Sequence, residues 1–164
     1  MNRIIVKSFS SAIKKQKVTF IGLGNMGFPM ATNLAKSGNY LVSGFDIDKN
    51  VQEKFNKQEN TESVSLEKSC SESDMIFTML PNTNIVKNTY NDITNNYKVK
   101  KGTYFIDSST INPTESKNFS EDLINKGFIA ADAPVSGGVV GATNGTLTFM
   151  IGCMDDKEGI IFSG

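Results

Sequence analysis

The sequence predicts an α/β fold in which helices pack on both faces of an open, mainly parallel sheet. Short apolar runs alternate with longer polar or amphipathic segments, and this alternation is typical of consecutive β-α-β units. The 164 residues, 38% of them hydrophobic, are enough for one compact α/β domain and too few for two. Each of the four prolines falls at a predicted strand end or helix start: Pro29, Pro81, Pro113 and Pro134.

The elements follow from the periodicity of apolar residues and from turn residues. An apolar run at 18–22 forms the first strand, a helix starts near Gly27, and Tyr40–Phe45 forms the second strand. The later elements are a helix at 49–57, a short strand at 61–65, a helical turn at 66–72, a buried strand at 74–80, a helix at 83–97, a short strand at 103–107, a helix at 113–126 that starts after Asn112 and stops at Gly127, and strands at 128–132 and 146–151.

The first strand ends in the glycine pattern G-x-G-x-x-G, formed by Gly22, Gly24 and Gly27. In a dinucleotide site the first glycine makes a tight turn, the second lets the backbone approach a pyrophosphate, and the third allows close packing of helix on strand. The helix that follows would direct free N–H groups at the phosphates. The glycines alone would also suit a turn in another α/β protein, but together with strand, helix and a later acid they predict a Rossmann-like, doubly wound nucleotide-binding domain.

That acid is Asp46, which ends the second strand 46 − 27 = 19 residues after the last glycine. A carboxylate at this position binds the adenosine ribose hydroxyls of NAD. The carboxylates of Asp46 and Asp48 would repel the extra phosphate of NADP, so the sequence favours NAD. Lys49 keeps NADP open, because a flexible ammonium group can reach a phosphate.

The N-terminal segment differs in charge from the rest of the chain. Its first sixteen residues, MNRIIVKSFSSAIKKQ, place apolar residues at helix-like intervals among serines and lysines. This pattern predicts a mitochondrial transit peptide at 1–17, and the alternative is a disordered basic tail. Residues 1–45 contain six basic side chains and no acid: Arg3, Lys7, Lys14, Lys15, Lys17 and Lys36.

Other classes of protein are disfavoured by composition. The two cysteines, Cys70 and Cys153, have no paired spacing, which favours a reducing compartment and gives no metal-ligand motif. No apolar window reaches the length of a membrane span, and no basic stripe indicates nucleic acid. We therefore expect a small-molecule ligand, with no membrane, nucleic acid or metal.

Three loops follow predicted strands, at 80–82, 107–110 and 133–138. Ligands of doubly wound sheets bind at the carboxyl ends of strands, so these loops are candidates for a pocket. Their hydroxyl and N–H groups suit a carboxylate or a nicotinamide amide. Each loop taken alone is more typical of turn and capping chemistry. The shared position of the three loops at strand ends is what favours a pocket.

Four ordered segments resemble the β-hydroxyacid dehydrogenase family, and the resemblance covers about 18–152: FIGLGNMGFPMATNL, TMLPN, IDSSTINP and DAPVSGGVVGATNGTLTFMIG. The resemblance implies an NAD-binding domain at 18–152 and reversible oxidation of 3-hydroxyisobutyrate to methylmalonate semialdehyde in valine breakdown in the mitochondrial matrix. It further implies that the substrate is held by Ser136, Gly137 and Gly138. The residues that it implies at the cofactor are Gly22, Leu23, Gly24, Asn25, Met26, Gly27, Asp46, Ile47, Leu80, Pro81 and Thr110.

Oxidation of an alcohol by hydride transfer needs a base for the hydroxyl proton, and the sequence contains no histidine. The family resemblance implies that this base is a lysine on a long helix beyond Gly164, within an all-helical C-terminal domain that closes the cleft and forms the dimer. We therefore interpret 153–164 as a truncated connection toward that missing domain, with no catalytic residue in this chain and a homo-oligomer only in a full-length form. The alternatives are an NADP-linked reductase of small semialdehydes and a non-catalytic NAD-binding module.

Overall fold

The structure, a computed structural model, describes residues 15–153. This part of the chain forms eight strands: β1 (Gln16–Ile21), β2 (Tyr40–Phe45), β3 (Met75–Thr78), β4 (Tyr104–Asp107), β5 (Ile129–Asp132), β6 (Val135–Ser136), β7 (Thr148–Phe149) and β8 (Gly152–Cys153). It also forms six helices: α1 (Gly27–Lys36), α2 (Lys49–Phe55), α3 (Leu66–Glu72), α4 (Thr83–Asn96), α5 (Pro113–Asn125) and α6 (Gly138–Asn144).

The main sheet has the strand order β2-β1-β3-β4-β5-β8. Its first five strands pair in parallel, and β8 joins β5 in the antiparallel direction. The chain runs from β1 outward to β2 and then crosses back to β3 on the other side of β1. Such a reversal opens a crevice at the carboxyl ends of the strands, where ligands of doubly wound sheets bind. The predicted fold class is confirmed.

Alternate residues of the parallel strands face two hydrophobic cores, one on each side of the sheet. On β1, for example, Phe20 belongs to one core and Ile21 to the other. The first core includes Met30 and Ala31 of α1 and Phe55 of α2, and the second is formed with helices α3, α4 and α5 through Cys70, Val86, Ile93 and Leu123. Both faces of the sheet are therefore covered by helices, as β-α-β connections require.

The strand predicted at 61–65 is wrong. Only Thr61 forms a β-bridge, to Val42 at the outer edge of β2. Residues 61–65 are exposed or half-buried, so no apolar face fixes the segment against the sheet. Ser65 instead accepts a hydrogen bond from the Lys68 N–H and caps α3, which turns the chain away from the sheet edge.

The region 133–153 also differs from the prediction. The strand predicted at 146–151 is reduced to β7, which pairs with β6 in a separate two-stranded sheet. Helix α6 was not predicted. It is a short helix that begins after Gly137 (φ 127°) without a capping side chain and ends at Gly145 in the left-handed conformation. Glycine at both ends gives this segment the composition of a loop, although it forms a helix.

The other boundaries agree with the prediction to within a few residues. α5, for example, starts at Pro113 with Asn112 as its N-cap, and Gly127 follows it with φ +84°. These are the three residues from which the sequence analysis placed the two ends of this helix.

The predicted leader and the predicted C-terminal connection lie mostly outside the described residues, at 1–14 and 154–164. Gln16 and Lys17, the last residues of the predicted leader, pair with β2 as part of β1. Nothing in residues 15–153 tests the expectation that the catalytic lysine lies beyond Gly164, and it stays a prediction. Within 15–153, no helix is both long and apolar enough to cross a membrane.

Candidate dinucleotide-binding site

The glycine loop joins β1 to α1 at the carboxyl end of the sheet. Gly22 adopts φ +96°, and a Cβ there would overlap the carbonyl group of Met79 and lie 3.0 Å from its carbon. A Cβ on Gly27 would overlap the carbonyl group of Gly22 and lie 2.9 Å from its carbon. By contrast, a Cβ on Gly24 would meet nothing within 4 Å. Gly22 and Gly27 are therefore required by packing, whereas Gly24 leaves open space in front of the loop.

Helix α1 begins at this open space without a side-chain cap or an acidic residue in its first turn. Its N-terminal N–H groups follow the loop residues Asn25 and Met26. Free N–H groups and the positive end of the helix dipole form a binding site for an anion. Helices α2, α3, α4 and α5 each have a capping side chain, namely Asp48, Ser65, Asn82 or Asn112. The glycine loop and the uncapped α1 therefore fit the pyrophosphate of a dinucleotide.

Asp46 connects the end of β2 to the glycine loop. Its Oδ2 accepts a hydrogen bond from the Leu23 N–H at 2.7 Å, and its Oδ1 accepts one from the Asp48 N–H at 2.9 Å. The carboxylate is half-buried, and the next side chain, Ile47, is 98% exposed. The structure thus brings the predicted acid next to the predicted phosphate loop, with an unpacked apolar side chain beside it.

Leu80 and Thr110 follow the neighbouring strands β3 and β4. The Leu80 N–H donates a hydrogen bond of 2.8 Å to Oγ of Ser109, which links the two loops. Pro81 and Thr110, the residues just beyond this link, are exposed. These predicted cofactor residues therefore lie together at the carboxyl edge of the sheet.

The link continues to Asp107, which was predicted only as part of the candidate loop 107–110, and to Thr78 and Tyr90, which were not predicted as site residues. Oδ1 of the buried Asp107 accepts hydrogen bonds from the Ser109 hydroxyl at 2.5 Å, the Ser109 N–H at 3.0 Å and the Thr78 hydroxyl at 2.8 Å. Thr78 in turn lies 2.8 Å from the Tyr90 hydroxyl. Burial raises the pKa of Asp107, and the hydrogen bonds from Ser109 and Thr78 oppose this shift. An acid directly at the end of a buried strand was the available sign of this network.

The predicted substrate residues Ser136, Gly137 and Gly138 span the end of β6 and the start of α6 and are exposed. Gly137 and Gly138 have φ of 127° and 60°, conformations that favour glycine. Asn33 of α1 donates a hydrogen bond of 2.7 Å to the Ala142 carbonyl of α6. Helix α6, which begins at the predicted substrate residues, is therefore hydrogen-bonded to α1, the helix that follows the glycine loop.

An open cleft of about 550 Å³ lies along the outer side of α1. It is lined by Leu23, Gly24 and Asn25 of the glycine loop and by residues of α1, α2 and α6. Asp46, Leu80 and Ser136 do not line it, so the cleft includes the predicted phosphate loop and not the remaining site residues. Between residues 15 and 153, no group of three or more histidine, cysteine or acidic side chains is placed to bind a metal.

The fold and this loop define a nucleotide-binding domain of the dehydrogenase type. Residues 17–158 match the family described as the NAD binding domain of 6-phosphogluconate dehydrogenase, and the chain belongs to this family, together with the 3-hydroxyisobutyrate dehydrogenases to which it is similar. It is 41% identical over 148 residues to the mitochondrial 3-hydroxyisobutyrate dehydrogenase of Mus musculus, covering 90% of this chain and 44% of that protein. The Drosophila melanogaster enzyme is 41% identical over 151 residues, which are 92% of this chain and 46% of that one.

A solved structure gives the same result. The structure of Mycobacterium tuberculosis 3-hydroxyisobutyrate dehydrogenase with L-serine superposes with a TM-score of 0.76 at 37% identity. The match covers 84% of this chain and 46% of that one. The chain therefore spans less than half the length of these three relatives, and nearly all of it belongs to the NAD-binding family match at 17–158.

Proposed function

We propose that this chain is the cofactor domain of a 3-hydroxyisobutyrate dehydrogenase and that it binds NAD in preference to NADP. The proposal rests on the position of the Asp46 carboxylate beside the glycine loop. This carboxylate accepts a hydrogen bond from the Leu23 N–H of the glycine loop and a second, local one from the Asp48 N–H. In this position it would accept hydrogen bonds from ribose hydroxyls. The extra phosphate of NADP would meet the negative charges of Asp46 and Asp48.

The remaining site residues fit the other parts of the cofactor. The N–H groups of the loop and of the first turn of α1 would bind the pyrophosphate, and the exposed Ile47 would cover the adenine ring. Leu80, Pro81 and Thr110 would face the nicotinamide half. When bound, the nicotinamide accepts the hydride from the substrate. The N–H groups of Gly137 and Gly138 and the hydroxyl of Ser136 would hold the substrate carboxylate.

Titration calorimetry with NAD and NADP tests the cofactor assignment. We expect the wild type to bind NAD more tightly, and Asp46→Ala to lose about 1.5–3 kcal/mol of NAD binding energy, the amount typical of hydrogen bonds to a charged group. Asp46→Asn retains an acceptor oxygen without the charge, so we expect it to reduce the discrimination against NADP. Equal or tighter binding of NADP by the wild type would contradict the proposal.

The alternative, an NADP-linked semialdehyde reductase, depends on Lys49. This residue directly follows Asp48 and is exposed, so its ammonium group is available to a phosphate. If Lys49 binds the phosphate of NADP, Lys49→Ala will weaken NADP and leave NAD unchanged. We expect both affinities to be unchanged by this substitution.

We further propose that the protein acts in mitochondria, in the matrix, in the oxidation of 3-hydroxyisobutyrate during valine breakdown. Similar proteins from Mus musculus and Drosophila melanogaster are named mitochondrial enzymes, and residues 1–17 are basic, hydroxyl-rich and free of acids. Residues 1–17 fused to a fluorescent reporter are expected to bring it into mitochondria. As a control, the same fusion with its lysines and arginine replaced by glutamine is expected to stay in the cytosol, and cytosolic fluorescence of the unaltered fusion would contradict the proposal.

A further inference from the structure

A hydrogen-bonded path connects Asp107, which ends β4, to the backbone of the loop after β3. The Ser109 hydroxyl donates to Oδ1 of Asp107 at 2.5 Å, and the Leu80 N–H donates to the same hydroxyl oxygen at 2.8 Å. Asp107 is 5% exposed and Ser109 is 1% exposed. Water therefore does not compete for these bonds, and their geometry fixes the distance between the two loops.

The direction of the protons makes an acceptor oxygen at position 107 necessary. Thr78 donates its hydroxyl proton to Oδ1 of Asp107 at 2.8 Å, so the Tyr90 hydroxyl donates to Thr78. Ser109 also uses its single hydroxyl proton on Asp107, which leaves its oxygen free to accept from the Leu80 N–H. Without an acceptor at position 107, no hydrogen bond would hold the Ser109 hydroxyl in this orientation.

Stability alone does not explain a charged group at this position. Oδ2 of Asp107 is buried and has no hydrogen-bond partner among residues 15–153. Asp132, its neighbour on β5, adds a like charge. A buried carboxylate that is only partly hydrogen-bonded costs stability relative to a neutral side chain, so Asp107 serves a purpose other than packing.

We infer that Asp107 is a positioning residue that acts through Ser109 and the Leu80 N–H to set the two strand-end loops for the nicotinamide half of the cofactor. Pro81 and Thr110 are exposed residues of these loops and lie directly next to the linked residues in the chain. This inference rests on the proposed function, because it takes the loops to be a cofactor-binding surface. Asp107 itself does not touch the cofactor in this arrangement.

The test uses Ser109→Ala with Ser108→Ala as a matched control. Ser108 is equally buried, and its hydroxyl has no hydrogen-bond partner in the described part of the chain, so both substitutions remove one buried hydroxyl and only Ser109→Ala breaks the path. We expect Ser109→Ala to weaken NADH binding, measured by fluorescence titration, by about fivefold to tenfold. Ser108→Ala is expected to stay within about twofold of the wild type.

Hydrogen exchange of the Leu80 amide, followed by NMR without cofactor, supplies a readout that is independent of binding. It should become faster in Ser109→Ala and in Asp107→Ala, and it should return toward the wild-type rate in Asp107→Asn, which keeps an acceptor oxygen. If Asp107→Ala does not fold, Ser109→Ala and Asp107→Asn still decide the question.

Each outcome has a distinct meaning. Unchanged Leu80 exchange in Ser109→Ala overturns the hydrogen-bonded path, and faster exchange with unchanged NADH affinity overturns the positioning role. If the wild type itself does not bind NADH, the proposed function fails and the positioning role fails with it, while the exchange rates still show whether the path exists.

Discussion

At the scale of single residues, glycine is required at two positions of the same loop for different physical reasons. Gly27 has no room for a side chain, because a Cβ would overlap the carbonyl group of Gly22. Gly24 has room, because a Cβ there would meet nothing within 4 Å. Gly27 is therefore needed for packing and Gly24 for access of a ligand, and substitutions at the two positions can distinguish these roles.

We predict that Gly27→Ala destabilises the protein and that Gly24→Ala does not. Gly27→Ala forces α1 away from β1 and should cost about 1–3 kcal/mol, as overpacking does in well-packed interiors. Gly24→Ala should leave the free energy of unfolding within about 0.5 kcal/mol of the wild type, yet weaken NADH binding because its Cβ enters the space proposed for the pyrophosphate. Urea denaturation and NADH titration measure the two effects, and tight NADH binding by Gly24→Ala would show that the cofactor does not approach this residue.

The buried Asp107 makes stability depend on pH. Burial raises its pKa above the ordinary value of 3.8, so between the two values the folded state binds more protons than the unfolded state. The free energy of unfolding contributed by this group therefore falls as pH rises through that window and is constant above it.

We predict that the wild type loses stability relative to Asp107→Asn as pH rises from about 4. Burial also raises the pKa of Asp132, but that residue is present in both proteins and largely cancels in the difference. Urea denaturation of both proteins between about pH 4 and pH 8 checks the prediction. A difference that grows in favour of the wild type with rising pH would contradict it.

At the scale of elements, capping side chains fix where the helices begin. Oδ1 of Asn112 accepts hydrogen bonds from the N–H groups of Thr114 and Glu115 at the start of α5. Two donors that the helix leaves unpaired are thereby satisfied by one side chain. Pro113 follows at the first helical position, where its missing N–H costs nothing.

We predict that Asn112→Ala lowers the free energy of unfolding by about 1 kcal/mol through loss of this cap. Asn118→Ala is the matched control, since Asn118 is exposed within α5 and alanine has the higher helix propensity. Thermal and urea unfolding of both variants should show a loss only for Asn112→Ala. Equal stability of the two variants would mean that the cap contributes nothing.

Helices and strands that end at a capping residue, a glycine or an acid could be predicted from the sequence. Asn112 and Gly127 bound α5, and β2 was predicted with its observed limits because an apolar run ends in an acid. By contrast, 61–65 has β-forming residues but too little apolar contact to hold them against β2. Helix α6 packs against α1 through the hydrogen bond from Asn33. This contact joins residues far apart in the sequence, so no local sequence pattern predicts it.

The same reasoning separates the parts of the site. The glycine loop and Asp46 could be predicted because each position has its own requirement of shape or charge. Of the Asp107 network, the sequence offered only the acid at the end of a buried strand as a sign. Thr78 is an ordinary polar residue until the parallel pairing of β3 with β4 places it beside Asp107, and Tyr90 reaches Thr78 from helix α4. Contacts between strands that are distant in sequence leave no local pattern.

At the scale of the whole molecule, five of the eight large apolar side chains that are exposed between residues 15 and 153 lie in one segment, 139–151. Val140 is 73% exposed and Met150 is 54% exposed, and both lie in the segment that follows the proposed substrate loop. This segment includes α6, β7 and the approach to β8, which adds an antiparallel strand at the edge of the sheet. The surface beside the proposed substrate residues is therefore apolar and open, whereas hydride transfer needs a site that excludes water.

We predict that this chain by itself binds NAD but does not oxidise 3-hydroxyisobutyrate at a useful rate. The sequence contains no histidine, and the family resemblance implies that the base is a lysine outside the matched region. A positioned general base typically contributes about 10²- to 10⁴-fold to the rate. Loss of substrate positioning would lower the rate further. The match covers only 44% of the Mus musculus enzyme, so the region of that enzyme beyond the match is where we expect the base.

The test follows NADH absorbance with the purified chain, alone and after addition of the unmatched C-terminal region of the Mus musculus enzyme. We expect turnover only in the mixture, and we expect Ser136→Ala in this chain to reduce it, because the substrate carboxylate would lose a hydrogen bond. The C-terminal region alone is the control for contaminating activity. Turnover by the chain alone would show that it supplies its own base, and the proposed division of the active site between the two regions would then be wrong.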